Sequence, residues 1–313
     1  MARKAEVLGI RKPMSAEAKA KIAEAIKRTA ERKRQEAGVF TETKSPVSNQ
    51  PRKKKKIELV KMKDQEFDPI VFQSMKTGKV VDQLFSFEGG IPRATNYMIV
   101  GDPGVGKSTC MLDILSDLAL AGNKVLYISA EMSRIDLYGY VNRFPKFGGL
   151  DTFFMGEYSE ENPKEILEDL LNEGYDCVLM DSFTEVKEAI AQGCRVTGPA
   201  AEKFLIDLMI RHNMAGNSEK KHTTFLAIVQ VTKGGVFVGS NKIKHNTTGM
   251  MCIRFLDPAE KLEPNMEFDK NRRGEIGKKL FYSLRTTGDV HYDEQRFLYG
   301  DPEEVEDEDR EEP

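Results

Sequence analysis

No stretch of this sequence approaches the roughly 18 consecutive apolar residues that a membrane span needs. The N-terminus is too charged and too poor in large apolar side chains to read as a secretory signal. These absences predict a cytoplasmic protein with no membrane partner. Cysteine is scarce as well. Cys110, Cys177, Cys194 and Cys252 lie far apart, without the paired spacing of zinc sites, and read as reduced structural thiols. His222 and His245 have no sequence neighbours that suggest metal or catalytic work and read as solvent-facing. No internal repeat is present.

Large apolar residues are also few in residues 1–66. That segment cannot bury enough surface to offset the entropy of ordering it, so no packed core is expected there. One helix is predicted inside it, with Ser15 as N-cap, Glu17 in the first turn, and Ile22 and Ile26 in a run of strong helix formers from Ala18. A near-neutral total of −3 hides a steep charge gradient. Residues 1–63 hold 19 basic and 7 acidic side chains, and residues 301–313 hold 9 acidic and 1 basic. The basic run Arg52 to Lys56 reads as a solvated linker able to touch nucleic-acid phosphates. The acidic end from Asp301 reads as a solubilising or autoinhibitory tail. The expected organisation is a largely disordered basic segment (1–66), one globular domain (67–300) and a disordered acidic tail (301–313).

Within the globular part, apolar runs alternate with helical ones. Candidate strands are Tyr97 to Val100, Val125 to Ile128, Thr152 to Met155, Cys177 to Met180, Thr224 to Val229, Met250 to Phe255 and Leu280 to Leu284. Several are near-continuously apolar, as parallel strands covered on both faces are. Helices fit at Lys107 to Leu120, Pro163 to Leu171 and Ala200 to Arg211. The pattern predicts an α/β fold with a mostly parallel central sheet flanked by helices and an antiparallel C-terminal extension.

The most informative segment is Gly101-Asp102-Pro103-Gly104-Val105-Gly106-Lys107-Ser108, followed by Thr109. It matches the phosphate-loop pattern, between an apolar strand and a helical run. Its glycines let successive backbone N–H groups turn toward phosphate oxygens at a helix N-terminus. Lys107 would reach the β- and γ-phosphates of ATP, and the Ser108 hydroxyl would ligate Mg²⁺. Such a site also needs a carboxylate ending a buried strand, and Asp181 after Cys-Val-Leu-Met fits as the second metal residue. Glu131 closes the strand that follows the phosphate loop's own and is the candidate to orient the attacking water. A plain surface glutamate, beside a helix that Ser133 starts, is the alternative for that position.

The segment Gly89-Gly90-Ile91-Pro92-Arg93, the phosphate loop and Ser129-Ala130-Glu131-Met132-Ser133 together resemble the RecA-like core shared by RadA (Sms) and DnaB-type helicases. Gln230-Val231-Thr232-Lys233-Gly234-Gly235 resembles the RadA stretch in which a sensor position precedes Val-Thr-Lys and a DNA-facing loop. Lys270-Asn271-Arg272-Arg273-Gly274 resembles the Lys-Asn-Arg-Phe-Gly signature of RadA and the Lys-x-Arg-x-Gly of DnaB-type helicases. The resemblance spans roughly residues 80 to 285. It implies a hexameric ring or helical filament in which Lys270 and Arg272 reach a neighbour's nucleotide. For that cluster a solvated basic turn is the alternative. The resemblance also implies a glycine-rich loop in which Lys233, Lys242 and Lys244 track single-stranded DNA, against the alternative of a surface loop with incidental lysines. Lys187 to Pro199 reads as a plain polar loop.

The departures matter too. Residues 1–66 lack the four cysteines of RadA's zinc module, no Lon-protease-like region is expected after the core, and Arg273 stands where RadA has Phe. A stripped-down relative, of the kind phages encode, is the expectation. Met14 to Arg28 is similar to a short DNA-binding module found beside phage homing-endonuclease domains, and a generic basic helix explains it as well. The function implied is a DNA-stimulated ATPase or helicase-like motor on single-stranded or branched DNA, with replication or recombination proteins as partners. A strand-exchange recombinase and a KaiC-like nucleotide-switched binding protein are the competing readings.

Overall fold

The computed structural model describes residues 59–158, 160–213, 222–230, 246–285 and 287–300. The chain divides into two units, Met1–Val60 and Lys61–Pro313, and the fold lies in the second. The predicted helix after Ser15, the basic run at Arg52, the lysines at 233, 242 and 244, His245 and the acidic tail fall outside the described residues.

Among the described residues, nine strands form one sheet in the order β3-β2-β4-β5-β1-β6-β7-β8-β9. They are β1 (Asn96–Gly101), β2 (Val125–Ser129), β3 (Thr152–Phe154), β4 (Cys177–Asp181), β5 (Thr224–Ile228), β6 (Gly249–Asp257), β7 (Leu262–Asn271), β8 (Leu280–Ser283) and β9 (His291–Tyr292). The first six are parallel and the last three continue antiparallel. Helices are α1 (Val81–Phe85), α2 (Lys107–Leu120), α3 (Arg134–Arg143), α4 (Pro163–Asn172), α5 (Phe183–Gly193), α6 (Gly198–Asn213) and α7 (Glu294–Tyr299). Among the described residues, no helix is long and apolar enough to cross a membrane.

Every residue of β1, β2, β4 and β5 is buried, as the continuous apolar runs predict. Alternation then sorts their side chains to two cores. Tyr97, Ile99, Tyr127, Leu179 and Leu226 pack with α2, whereas Met98, Leu126, Val178, Met180 and Phe225 pack with α4, α5 and α6. The result is helix, sheet, helix, with the loop at Gly101 emerging from the sheet's centre.

Two regions correct the sequence reading. Residues 187–199 are not a plain loop: α5 runs to Gly193 and α6 begins at Gly198. Phe183, Val186 and Ile190 lie buried on one face of α5 at helical spacing. Each such buried side chain contributes roughly 1.5–3 kcal/mol, more than the polar outer face can oppose. His222 is not simply solvent-facing, because it is half-buried with Nε2 3.4 Å from Asp176 Oδ1. The four cysteines are free, with Cys110, Cys177 and Cys252 buried.

A charge cluster ties the start of the fold to α2 and to the turn before β9. Lys79 and Lys146 both contact Asp113, Asp117 and Asp289 at 2.6–2.8 Å. Asp113 is fully buried, and its Oδ1, the oxygen that meets Lys146, also accepts the Val290 N–H at 3.1 Å. Burial pushes the Asp289 carboxyl up, but hydrogen bonds from Lys146 and Lys79 outweigh it and hold that group at about 2. A carboxyl depressed in the folded state stabilises above its unfolded value near 3.9 and loses that contribution as pH falls through the folded value. The thermal midpoint is therefore expected to drop less between about pH 4 and pH 2 in Asp289→Asn than in the unsubstituted chain. Calorimetric scans across that window test it, and parallel acid limbs would count against it.

Candidate active site

Because β2, β4, β5 and β1 are adjacent and parallel, whatever follows them lies along one edge of the sheet. Glu131 follows β2, Asp181 ends β4, Gln230 follows β5, and the phosphate loop follows β1. At about 4.8 Å per strand spacing, the four fall within roughly 15 Å. The C-terminal edge of a parallel sheet is where α/β proteins bind their ligands.

The loop is shaped by its contacts. Gly101 has φ 151°, and a Cβ there would stand 1.8 Å from the Ile253 carbonyl oxygen. Gly106 has φ 100° and is the N-terminal cap of α2, and a Cβ on it would meet Leu284 Cδ1 at 2.3 Å. Both positions therefore require glycine. Asp102 anchors the loop to β6, accepting the Phe255 N–H at 3.2 Å while its own N–H donates to Ile253 O at 3.1 Å. Tyr282, on β8, donates its hydroxyl hydrogen to Val105 O at 2.6 Å. Pro103 and Gly104 are exposed, Val105 and Thr109 are buried, and Ser108 is half-buried at the helix start. Sequence reasoning missed Tyr282 and Leu284, which are distant in sequence and belong to no motif.

Lys107 Nζ donates to the carbonyls of Gly101 (3.0 Å) and Asp102 (2.8 Å). Burial lowers its pKa, and the charges of Asp102, Asp181 and Glu131 oppose that shift. Asp181 is 1% exposed, and its Oδ1 is buried with no hydrogen-bond partner. Burial pushes this carboxyl up to about 6, against the nearby Ser108 hydroxyl and with the Glu131 charge adding to the rise. A buried carboxylate oxygen with an open coordination direction, beside a hydroxyl and a lysine, fits a divalent cation carried with a nucleotide triphosphate. Ser108 and Asp181 are the residues that would hold it, and the N–H groups of the loop are those that would face phosphate oxygens.

Ser133 starts α3 with a full capping box to Asp136, which fixes the turn that presents the exposed Glu131. Gln230 Nε2 donates to Glu131 Oε1 at 3.0 Å and to Glu185 Oε1 at 3.4 Å. Lys270 and Arg272 are not part of this edge. Lys270 pairs with Met250 and Asn271 with Gly249, which pairs with Tyr97 at the other end of β1, four residues or roughly 13 Å from Gly101. Lys270 Nζ donates there to Thr247 O at 2.7 Å, and the Arg272 backbone N–H to Thr248 O at 3.1 Å.

Residues 75–151 match the family described as "ATPase: KaiC". The chain is 30% identical to the DNA repair protein RadA of Campylobacter jejuni over 200 residues, 64% of this chain and 42% of that one. It is 26% identical to RadA of Helicobacter pylori over 218 residues, 69% of this chain and 46% of that one. It thus spans less than half the length of the curated relatives it matches. The flagellar accessory protein FlaH of Methanocaldococcus jannaschii is similar in structure, with a TM-score of 0.54, 13% identity and coverage of 70% of this chain and 99% of that one. A KaiC-like protein of Pyrococcus horikoshii is similar at a TM-score of 0.50, with 16% identity and coverage of 70% of this chain and 98% of that one. The fold is the RecA-like ATPase fold, as the order of its motifs implies.

Proposed function

We propose that this RecA-like, KaiC-like ATPase domain is a DNA-stimulated, Mg²⁺-dependent ATP hydrolase that works as a helicase-like motor on single-stranded or branched DNA. One observation carries the reading: the hydrogen bond from Gln230 to Glu131. It links the carboxylate proposed to orient water to a residue three positions ahead of Lys233, the first of the proposed DNA contacts Lys233, Lys242 and Lys244. An event on that basic stretch then has a direct route to the hydrolytic base. Similarity to proteins described as DNA repair RadA supports the same reading.

Lys107 and the loop amides are assigned to the phosphates, Ser108 and Asp181 to Mg²⁺, and Lys270 and Arg272 to the nucleotide of a neighbouring copy in a ring or filament. The last assignment is supported by their place at the far end of β1, from which neither can serve its own loop. The test is ATP hydrolysis with single-stranded, duplex and branched DNA at two salt concentrations. Stimulation that weakens as salt rises is expected, because phosphate contacts release counterions.

The match to the KaiC family favours a second reading, a nucleotide-switched protein that serves protein partners. A rate indifferent to DNA selects it. If DNA does stimulate, electron microscopy with DNA and ATP separates closed motor rings from the long filaments of a strand-exchange recombinase.

A further inference from the structure

Glu185 is not part of the phosphate loop, yet it shares a hydrogen-bond donor with Glu131. It lies in the first turn of α5, four residues after Asp181, with its backbone N–H bonded to the capping Ser182 hydroxyl at 3.3 Å. The neighbouring Thr184 accepts the Gln230 backbone N–H at 3.4 Å. The Glu185 carboxylate is the second acceptor for the Gln230 side-chain amide, at 3.4 Å against 3.0 Å for Glu131.

The start of α5 therefore grips Gln230 at two points, main chain and side chain. A primary amide has two hydrogens in one plane, so donating one to Glu185 fixes the direction of the other. That other hydrogen points at Glu131. The geometry assigns Glu185 as a positioning residue: it aims the Gln230 amide so that Gln230 holds the exposed Glu131 carboxylate in its working orientation. Without this clasp both long side chains regain rotamers, and a base that must sit within hydrogen-bond reach of its water spends less time there.

A helix-stabilising acidic residue is the competing explanation, since a carboxylate in the first turn also favours the helix. The two differ in what they predict. Glu185 also lines a cavity of about 240 Å³ together with Phe153, Met155, Glu161 and Glu188, so there is open space beside it. The inference rests on the proposed hydrolytic role of Glu131, and a Glu131→Gln chain measured alongside keeps the two separable: normal turnover in it defeats that role, whereas lost turnover in it with no effect of Glu185→Ala overturns the assignment of Glu185 alone.

The experiment is steady-state ATP hydrolysis without DNA by the full chain and by Glu185→Ala, Glu185→Gln, Gln230→Ala and the Glu185→Ala/Gln230→Ala pair. Thermal midpoints are measured in parallel. Glu185→Ala is expected to lower kcat about three- to tenfold with KM for ATP unchanged, because the phosphate loop is untouched. Glu185→Gln, whose amide oxygen still accepts, is expected to recover most of the rate. In the Gln230→Ala background, Glu185→Ala is expected to change nothing further, since the residue acts through Gln230. An equal loss in both backgrounds, a change in KM alone, or a rate that follows the thermal midpoint overturns the assignment. A failure of DNA to stimulate the unsubstituted chain defeats the proposed motor function and leaves this comparison standing, because every rate in it is measured without DNA.

Discussion

Lys107→Ala is expected to lower ATP turnover by at least about a thousandfold while leaving the fold intact. The reasoning starts from where its charge sits. Nζ is held by two loop carbonyls, Gly101 O and Asp102 O, at 3.0 and 2.8 Å. It therefore waits in the concavity that phosphate oxygens would enter. Burial works against its charge, but Asp102, Asp181 and Glu131 surround it and favour the cation. Removing it leaves the two carboxylates assigned to the metal and the water without their nearest fixed positive charge, where transition-state charge would develop. The structural cost is local to the loop: two charge-assisted hydrogen bonds to loop carbonyls, roughly 1.5–3 kcal/mol each, are lost, and relief of burying the charge offsets part of that. Phosphate release and a thermal scan on the same preparation check both halves. Turnover within tenfold of the unsubstituted chain would remove Lys107 from its assigned role.

The second large effect concerns the opposite end of β1. Arg272→Ala is expected to lower turnover at least about a thousandfold, as loss of an arginine finger does, with nucleotide affinity nearly unchanged. The separation of the two outcomes follows from geometry: Arg272 lies at the end of the sheet away from its own loop, so it contributes nothing to binding there. A sharper form uses mixtures. If each site combines one copy's Lys107 with the next copy's Arg272, then combining inactive Lys107→Ala and Arg272→Ala chains in equal amounts regenerates about a quarter of the junctions intact. Recovery of hydrolysis on mixing is the expected result, and mixtures as inactive as their components would refute action across a junction.

The sequence made one side of this site readable and left the other hidden. Helix α2 falls where its composition places it, Lys107–Leu120, and β1, β2, β4 and β5 coincide with apolar runs to within a residue or two. Burial on both faces imposes that simple signal. Strand β7 was not legible, because Leu-Glu-Pro-Asn-Met-Glu-Phe-Asp-Lys-Asn is half exposed and carries Pro264. Pairing with the already buried β6 makes it a strand. Helix α5 was missed for a related reason: its three core residues are spaced among glutamates and lysine, and only Asp181 next door drew notice. Glu131, Asp181 and Gln230 could be named individually from strand ends and motif order, but their adjacency depends on strand order, which no local pattern contains. Tyr282 and Glu185 carried no signal at all, since each matters through a single contact with a residue far away in sequence.

The bracing of the phosphate loop by β6 and β8 has a consequence for how the protein is made. Residues 101–108 leave the ribosome long before Ile253, Phe255, Tyr282 and Leu284, against which the loop is shaped. A growing chain thus carries the complete loop sequence for most of its synthesis without the walls that give it form. The loop therefore takes its full shape only when the last strands of the sheet dock against it.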